Sequence, residues 1–170
     1  FQLQPDVQQL VSAALTDPAK ETSAERSAFL FEALSQTNIP QWPPRWIEAL
    51  AHGLRHSSLA IRLQAVRIVG QRQISDFDDL LLRLGEDAQA TSELRLEALR
   101  AVGPRRPKFP GGAIEFLLEQ LVPSASPLGR LAAGEVLGRA ELADTDAKAL
   151  LVLLPGNTLV SPSVLLPALL

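Results

Sequence analysis

No cysteine occurs in the 170 residues, which excludes a disulfide, a thiolate zinc site and a C-x-x-C-H haem attachment, and leaves the redox compartment unreadable. No uninterrupted apolar run approaches the ~20 residues that span a bilayer, and no secretory apolar core is present. Neither sign of charge dominates: 16 basic against 19 acidic side chains leave a net charge of -3, which argues against a dedicated nucleic-acid binder. No window sustains the apolar-polar alternation of a strand. What is there is 46% hydrophobic and 21% charged, enough for one soluble domain that folds unaided and removes roughly 70% of its unfolded surface from water. The chain begins at Phe1 without a methionine and ends in "SVLLPALL", so the expectation is a segment of a longer protein, with any targeting signal outside it.

The chain repeats itself. "IRLQAVRIVG" at 61–70 returns as "LRLEALRAVG" at 94–103 and "GRLAAGEVLG" at 129–138; a degraded copy, "FLFEALSQTN", stands at 29–38, and a fifth opens at Ser161-Pro162. A spacing of 33 to 35 residues marks a solenoid of one repeated supersecondary unit. Leu59, Ile61, Leu63, Ala65, Val66 and Val69 form a broad apolar stripe at helical spacing, opposite Gln64, Arg67 and Gln71. Ser58, Ser92 and Ser126 are expected N-caps, Pro127 suits a first helical position, and Gly70, Gly103 and Gly138 suit a left-handed stop. Thr22 with Glu25 forms a capping box. Second apolar segments at roughly 6–15, 44–54, 76–85, 111–122 and 145–154 complete helix pairs over roughly 5–37, 42–71, 75–104, 110–140 and 144–170. Pro167 would fall inside a helix begun at Pro162, so that helix is expected to break or to start later.

Paired helices at this period, with Ile61-Arg62, Leu94-Arg95 and Gly129-Arg130 opening the second helix and Leu/Val-Gly closing it, resemble HEAT repeats of the short bacterial kind first noted in phycobilisome-lyase-like proteins. His56, Gln89 and Ser124 stand where that family carries aspartate, six residues before the arginine. The resemblance implies an all-α, right-handed α-solenoid of about five HEAT-like helix pairs, with the arginine-bearing helices on the concave side, and an interaction scaffold rather than an enzyme. HEAT-like stretches ending in "LLPALL"-type runs also look like the spacer between a propeller-type dehydrogenase region and a c-type haem domain in large exported bacterial proteins. That likeness implies a spacer role and an exported location, although no haem motif lies in this chain.

Arg62, Arg95 and Arg130 lie within about 40° of the apolar positions four and seven residues later. Buried charge must be satisfied, so they are expected to join repeats by bonding helix-end carbonyls with packed aliphatic stems; a ligand-facing guanidinium row is the alternative. Gln64, Arg67, Gln71, Glu97 and Arg100 occupy the polar face, read as a solvated face or a partner surface. His52 and His56 are four apart, but no third ligand completes a metal site, and "SDFDD" at 75–79 lacks calcium-loop spacing and suits a helix N-terminus. "QWPPRW" at 41–46 is read as a packing staple, with Trp46 in the core, or as a stacking anchor of the kind HEAT-like DNA glycosylases use.

Charge is uneven: residues 55–108 carry ten basic and seven acidic groups, whereas 1–54 and 109–170 each carry three and six. Arg72, Arg105, Arg106, Lys108 and Arg139 follow the second helices and would align as a basic ridge, either complementing helix C-termini or tracking an acidic partner or phosphates. The reading that results is a non-catalytic protein-interaction or structural scaffold without cofactor, its partner a protein or flanking domains of the same chain. A nucleic-acid-binding HEAT module and a spacer in an exported haem protein are the alternatives.

Overall fold

Pro43 and Pro44 open the first described helix, α1 (Pro44–Leu54), where a missing N–H costs nothing because the first turn has no partners for its amides. The computed structural model describes residues 42–156 and 159–169; the expected pair over 5–37, with its capping box and its degraded repeat, lies outside them. Trp46, Ala49, Leu50, Gly53 and Leu54 face inward at helical spacing and pack on α2 (Leu59–Gln71), which buries Ile61, Ala65, Val66, Ile68 and Val69. The chain divides into two compact units with the boundary between Arg72 and Gln73, so α1 and α2 form the described part of the first.

The second unit opens with a single 3-10 turn, Ser75–Phe77, running into α3 (Asp78–Glu86). There follow α4 (Ser92–Val102), α5 (Gly111–Glu119), α6 (Pro127–Leu137) and α7 (Asp144–Leu153), the last extended by a 3-10 turn, Leu154–Gly156. A four-residue α8 (Pro162–Leu165) passes into a 3-10 turn, Leu166–Leu169. Pro167 explains the change of winding, since it has no amide to donate to a continuing α-helix. No strand occurs among the described residues.

The packing order in the second unit is regular. α3 packs on α4 and α5 on α6, as hairpin partners; α3 also packs on α5 and α5 on α7, while α4 packs on α6 and α6 on α8. The core between them is aliphatic and closely spaced, with Leu81, Leu94, Leu99, Leu117, Leu121, Leu137, Leu150 and Leu165 all but excluded from solvent.

Two local expectations are corrected. α4 is capped by Thr91, whose Oγ1 accepts from the Leu94 amide at 3.4 Å; Ser92 is already helical. Ser126 caps α6 by accepting from the Gly129 amide at 3.0 Å, whereas Ser58 stands at the N-cap of α2 without a side-chain bond and gives its amide to His56 Nδ1 at 2.9 Å. The repeat glycines are not left-handed stops. Gly70 lies inside α2, Gly103 and Gly138 have right-handed φ of -50° and -63°, and the positive φ falls instead on Gln73 at 54°. Glycine is present at 138 for closeness: a Cβ there would collide with the Val164 carbonyl oxygen, and one at Gly134 would lie 2.6 Å from Val160 Cγ1. The two glycines therefore form the bed on which the chain entering α8 is laid against α6.

Candidate functional site

Arg95 is the arginine best placed to brace the second unit. Its Nε donates to the Gly85 carbonyl at 2.9 Å, one of the last four carbonyls of α3 that have no intrahelical partner. Its guanidinium carbon also lies 3.6 Å from the Phe116 ring centroid on α5. One side chain of α4 thus ties its own hairpin partner to the first helix of the next pair, through a charged hydrogen bond and a cation-π contact. Gly85 permits this: a Cβ there would stand 2.6 Å from Leu99 Cγ, so the last turn of α3 reaches α4 only without a side chain.

Arg62 and Arg130 occupy the same repeat position but do not repeat the bond. Both are half-buried, and each has a buried Nε without a partner among the described residues. At the repeat spacing Gly85 becomes His52 and Gln120, and Phe116 becomes Arg83 and Leu151, so neither the close carbonyl nor the ring recurs. Carbonyl bracing expected at three arginines is therefore seen through Nε at Arg95.

The polar-face residues belong to both units. On α2, Arg67 and Gln71 are exposed, but Gln64 is half-buried, with a buried, unpartnered Oε1. On α4, Glu97 is half-buried and Arg100 exposed. Arg100 Nη2 lies 2.9 Å from Glu135 Oε2 on α6, and Arg139 Nη1 reaches Glu135 Oε1 at 3.4 Å from one turn later. These three rim a shallow depression over Leu99, Gly103 and Val136, with an enclosed volume of only about 10 Å³. That is room for about one water and far below the roughly 300 to 1,000 Å³ of small-molecule sites.

Most of the basic ridge is partnered within the fold, and Arg105 is turned inward. Arg105 was expected on an open edge, yet its side chain is 14% exposed and grips Asp78: Nε lies 2.9 and 3.2 Å from the two carboxylate oxygens, and Nη2 2.5 Å from Oδ1. Asp78, 6% exposed, is the buried charged residue of the described core. Arg106 pairs with Asp79 at 3.4 Å in solvent, Arg139 pairs with Glu135, and Arg72 lies 5.7 Å over the Trp42 ring. Lys108 is exposed, with no ion pair recorded among the described residues. The Asp78–Arg105 pair had a visible signal in the sequence: Asp78-Asp79 and Arg105-Arg106 are adjacent doublets of opposite charge at a common spacing of 27. That spacing runs from the start of a first helix to the third residue past the end of its partner.

Trp46 is 1% exposed and packs edge-to-face with half-buried Trp42 at 5.4 Å, so both indoles serve the first unit's packing. His52 is exposed at the end of α1, and His56 serves the turn before α2. Among the described residues no group of three His, Cys, Asp or Glu side chains could hold a metal, and no helix is long and apolar enough to cross a membrane. No family model, curated protein or solved structure matches this chain.

Proposed function

We propose that this protein is a non-catalytic scaffold that binds another protein or flanking domains of its own chain, built as a right-handed α-solenoid of about five HEAT-like helix pairs. The observation that carries this reading is the packing order of the second unit, in which first helices α3, α5 and α7 contact in sequence and second helices α4, α6 and α8 do the same. Such nearest-neighbour contact is how a repeat array buries a continuous core that no single pair can bury. The arginine chemistry is compatible with it: Arg95 and Arg105 are turned into the fold, whereas Arg67 and Arg100 are exposed on the second helices, Arg100 paired there with Glu135.

The same internal pairing weighs against a phosphate track. A duplex binder makes roughly 6 to 10 phosphate contacts, whereas the ridge offers the partnered Arg106 and Arg139 with Lys108. Photo-crosslinkers placed at Gln71 and Arg100 test the reading in the native host. A defined protein adduct at either position, reproduced with purified components, is the expected result. Submicromolar duplex binding at about 150 mM salt, lost in an Arg106→Glu, Lys108→Glu variant, would replace the scaffold by the nucleic-acid reading. Arg105 is unsuitable for that control because its loss strands Asp78.

A further inference from the structure

The last copy of the repeat departs from the others. α2, α4 and α6 run for 11 to 13 residues, whereas α8 is a four-residue helix that passes into a 3-10 turn. Within residues 159–169, Val160 and Leu165 are the two buried side chains, at 3% and 0% exposure. Leu159, Val164 and Leu166 are open to solvent, as are Ser161, Pro162, Ser163 and Pro167. Residues 149–170 contain no charged side chain, so no side-chain ion pair ties this stretch down.

The seat itself is closely fitted. Val160 lies over Gly134 and the Val164 carbonyl over Gly138, so two residues four apart rest on two glycines four apart, and the segment runs beside α6 in constant register. At Gly138, where a Cβ would collide with the Val164 carbonyl oxygen, backbone lies on backbone. The principal helix that α8 packs on is α6, and α6 is also held by α4 and α5. A defined closed position is therefore secured by little apolar burial, over a helix that keeps its other neighbours when the segment is away. Regions with few buried apolar contacts open locally at a small fraction of the global unfolding free energy. Both anchors stand on one short element, so they leave together.

We propose that residues 159–169 are a strap that opens and closes as a unit on the Gly134–Gly138 side of α6 while α3 to α7 stay folded. That side of α6 is then alternately covered and bared, in an equilibrium that anything preferring either state would shift. The strap goes beyond the scaffold reading and does not depend on it.

Because the chain has no cysteine, a single introduced thiol has no competitor. Val160→Cys and Val102→Cys are matched replacements at positions 3% and 0% exposed, one in the strap and one in α4. With N-ethylmaleimide and the full chain in the absence of denaturant, position 160 should react at least about a hundredfold faster than position 102, because labelling of a buried thiol follows the population of the state that exposes it. It should still react more slowly than Ser163→Cys, which is exposed with the strap closed. Adding Gly138→Ala, which sets a methyl group against the Val164 carbonyl, should speed the reaction at 160 by about tenfold and leave that at 102 unchanged. Should a variant lose its helical circular dichroism, hydrogen exchange of the unaltered protein supplies the same readout. The Val164 and Leu166 amides, bonded to the Ser161 and Pro162 carbonyls, should be at least about a hundredfold less protected than the Gly103 amide, bonded to the Leu99 carbonyl. Equal labelling at 160 and 102, or equal protection of these amides, would overturn the proposal, because the segment would then leave only with global unfolding. Labelling at 160 as fast as at Ser163→Cys would overturn it too, because the strap would never close.

Discussion

Replacing Arg105 by alanine should destabilise the second unit far more than replacing its neighbour Arg106. Asp78 is 6% exposed, and a single guanidinium supplies its side-chain ion pair through Nε and Nη2. Without Arg105 the carboxylate stays buried with no cation beside it, which costs about 3 to 5 kcal/mol for pairs of this kind. Its place in the first turn of α3 returns about 0.3 to 1 kcal/mol through the helix dipole, so a net loss of about 2 to 4 kcal/mol is expected. With a urea dependence of about 2 kcal/mol per molar, the midpoint falls by about 1 to 2 M. Arg106 and Asp79, 51% and 76% exposed and 3.4 Å apart, form a solvated pair worth about 0.5 kcal/mol or less, so Arg106→Ala should barely move the midpoint. Asp78→Asn should approach the Arg105→Ala loss, because it leaves a guanidinium whose Nη1 is already buried without a partner. The double variant Asp78→Leu, Arg105→Met should recover most of the stability, since replacing both partners of a buried pair by apolar residues is often neutral or favourable. Equal midpoints for Arg105→Ala and Arg106→Ala, or a double variant as unstable as the two single losses added together, would refute the reasoning.

Arg95→Ala should cost about 1 to 3 kcal/mol in urea unfolding through loss of the Gly85 carbonyl bond and the Phe116 contact, while Arg67→Ala on the exposed side of α2 should shift the midpoint by less than about 0.5 kcal/mol. Gly138→Ala forces a methyl group onto the Val164 carbonyl, a rigid neighbour, and should cost about 1 to 3 kcal/mol, with residues 159–169 becoming accessible to protease before the rest of the second unit. Gln73→Gly should leave the melting temperature unchanged or raise it slightly, because a φ of 54° costs a side-chain-bearing residue about 1 kcal/mol, whereas Gln73→Val should lower it by several degrees.

The helices were legible in the sequence because their information is local. Apolar spacing in 44–54, Ser126-Pro127 ahead of α6 and the 33 to 35 residue period each depend on a few consecutive residues, and the observed helices Pro44–Leu54 and Pro127–Leu137 follow them closely. Pro167 announced the broken last helix for the same reason, since a missing amide acts within one turn. The candidate surfaces were legible only in part. Arg100 and Arg67 do face solvent, but helical phase could not show that Gln64 buries its Oε1 or that Glu135 answers both Arg100 and Arg139 across two elements.

What the sequence by itself determined is therefore the all-helical character, the pairing period and the placing of arginines on one helical face, all consequences of phase along a single helix. What the tertiary structure decided is which of those arginines is used. Arg95 is braced through Nε, whereas the Nε atoms of Arg62 and Arg130 have no partner among the described residues, because Gly85 lets one carbonyl approach and Phe116 supplies one ring. Arg105 was drawn inward because the hairpin returns it to Asp78, 27 residues away. Of the repeat glycines, which locally read as left-handed stops, Gly138 marks where the chain meets a neighbouring backbone, the Val164 carbonyl. Closeness between helices is set by packing in three dimensions, and a glycine chosen for closeness looks the same in a sequence as one chosen for its φ.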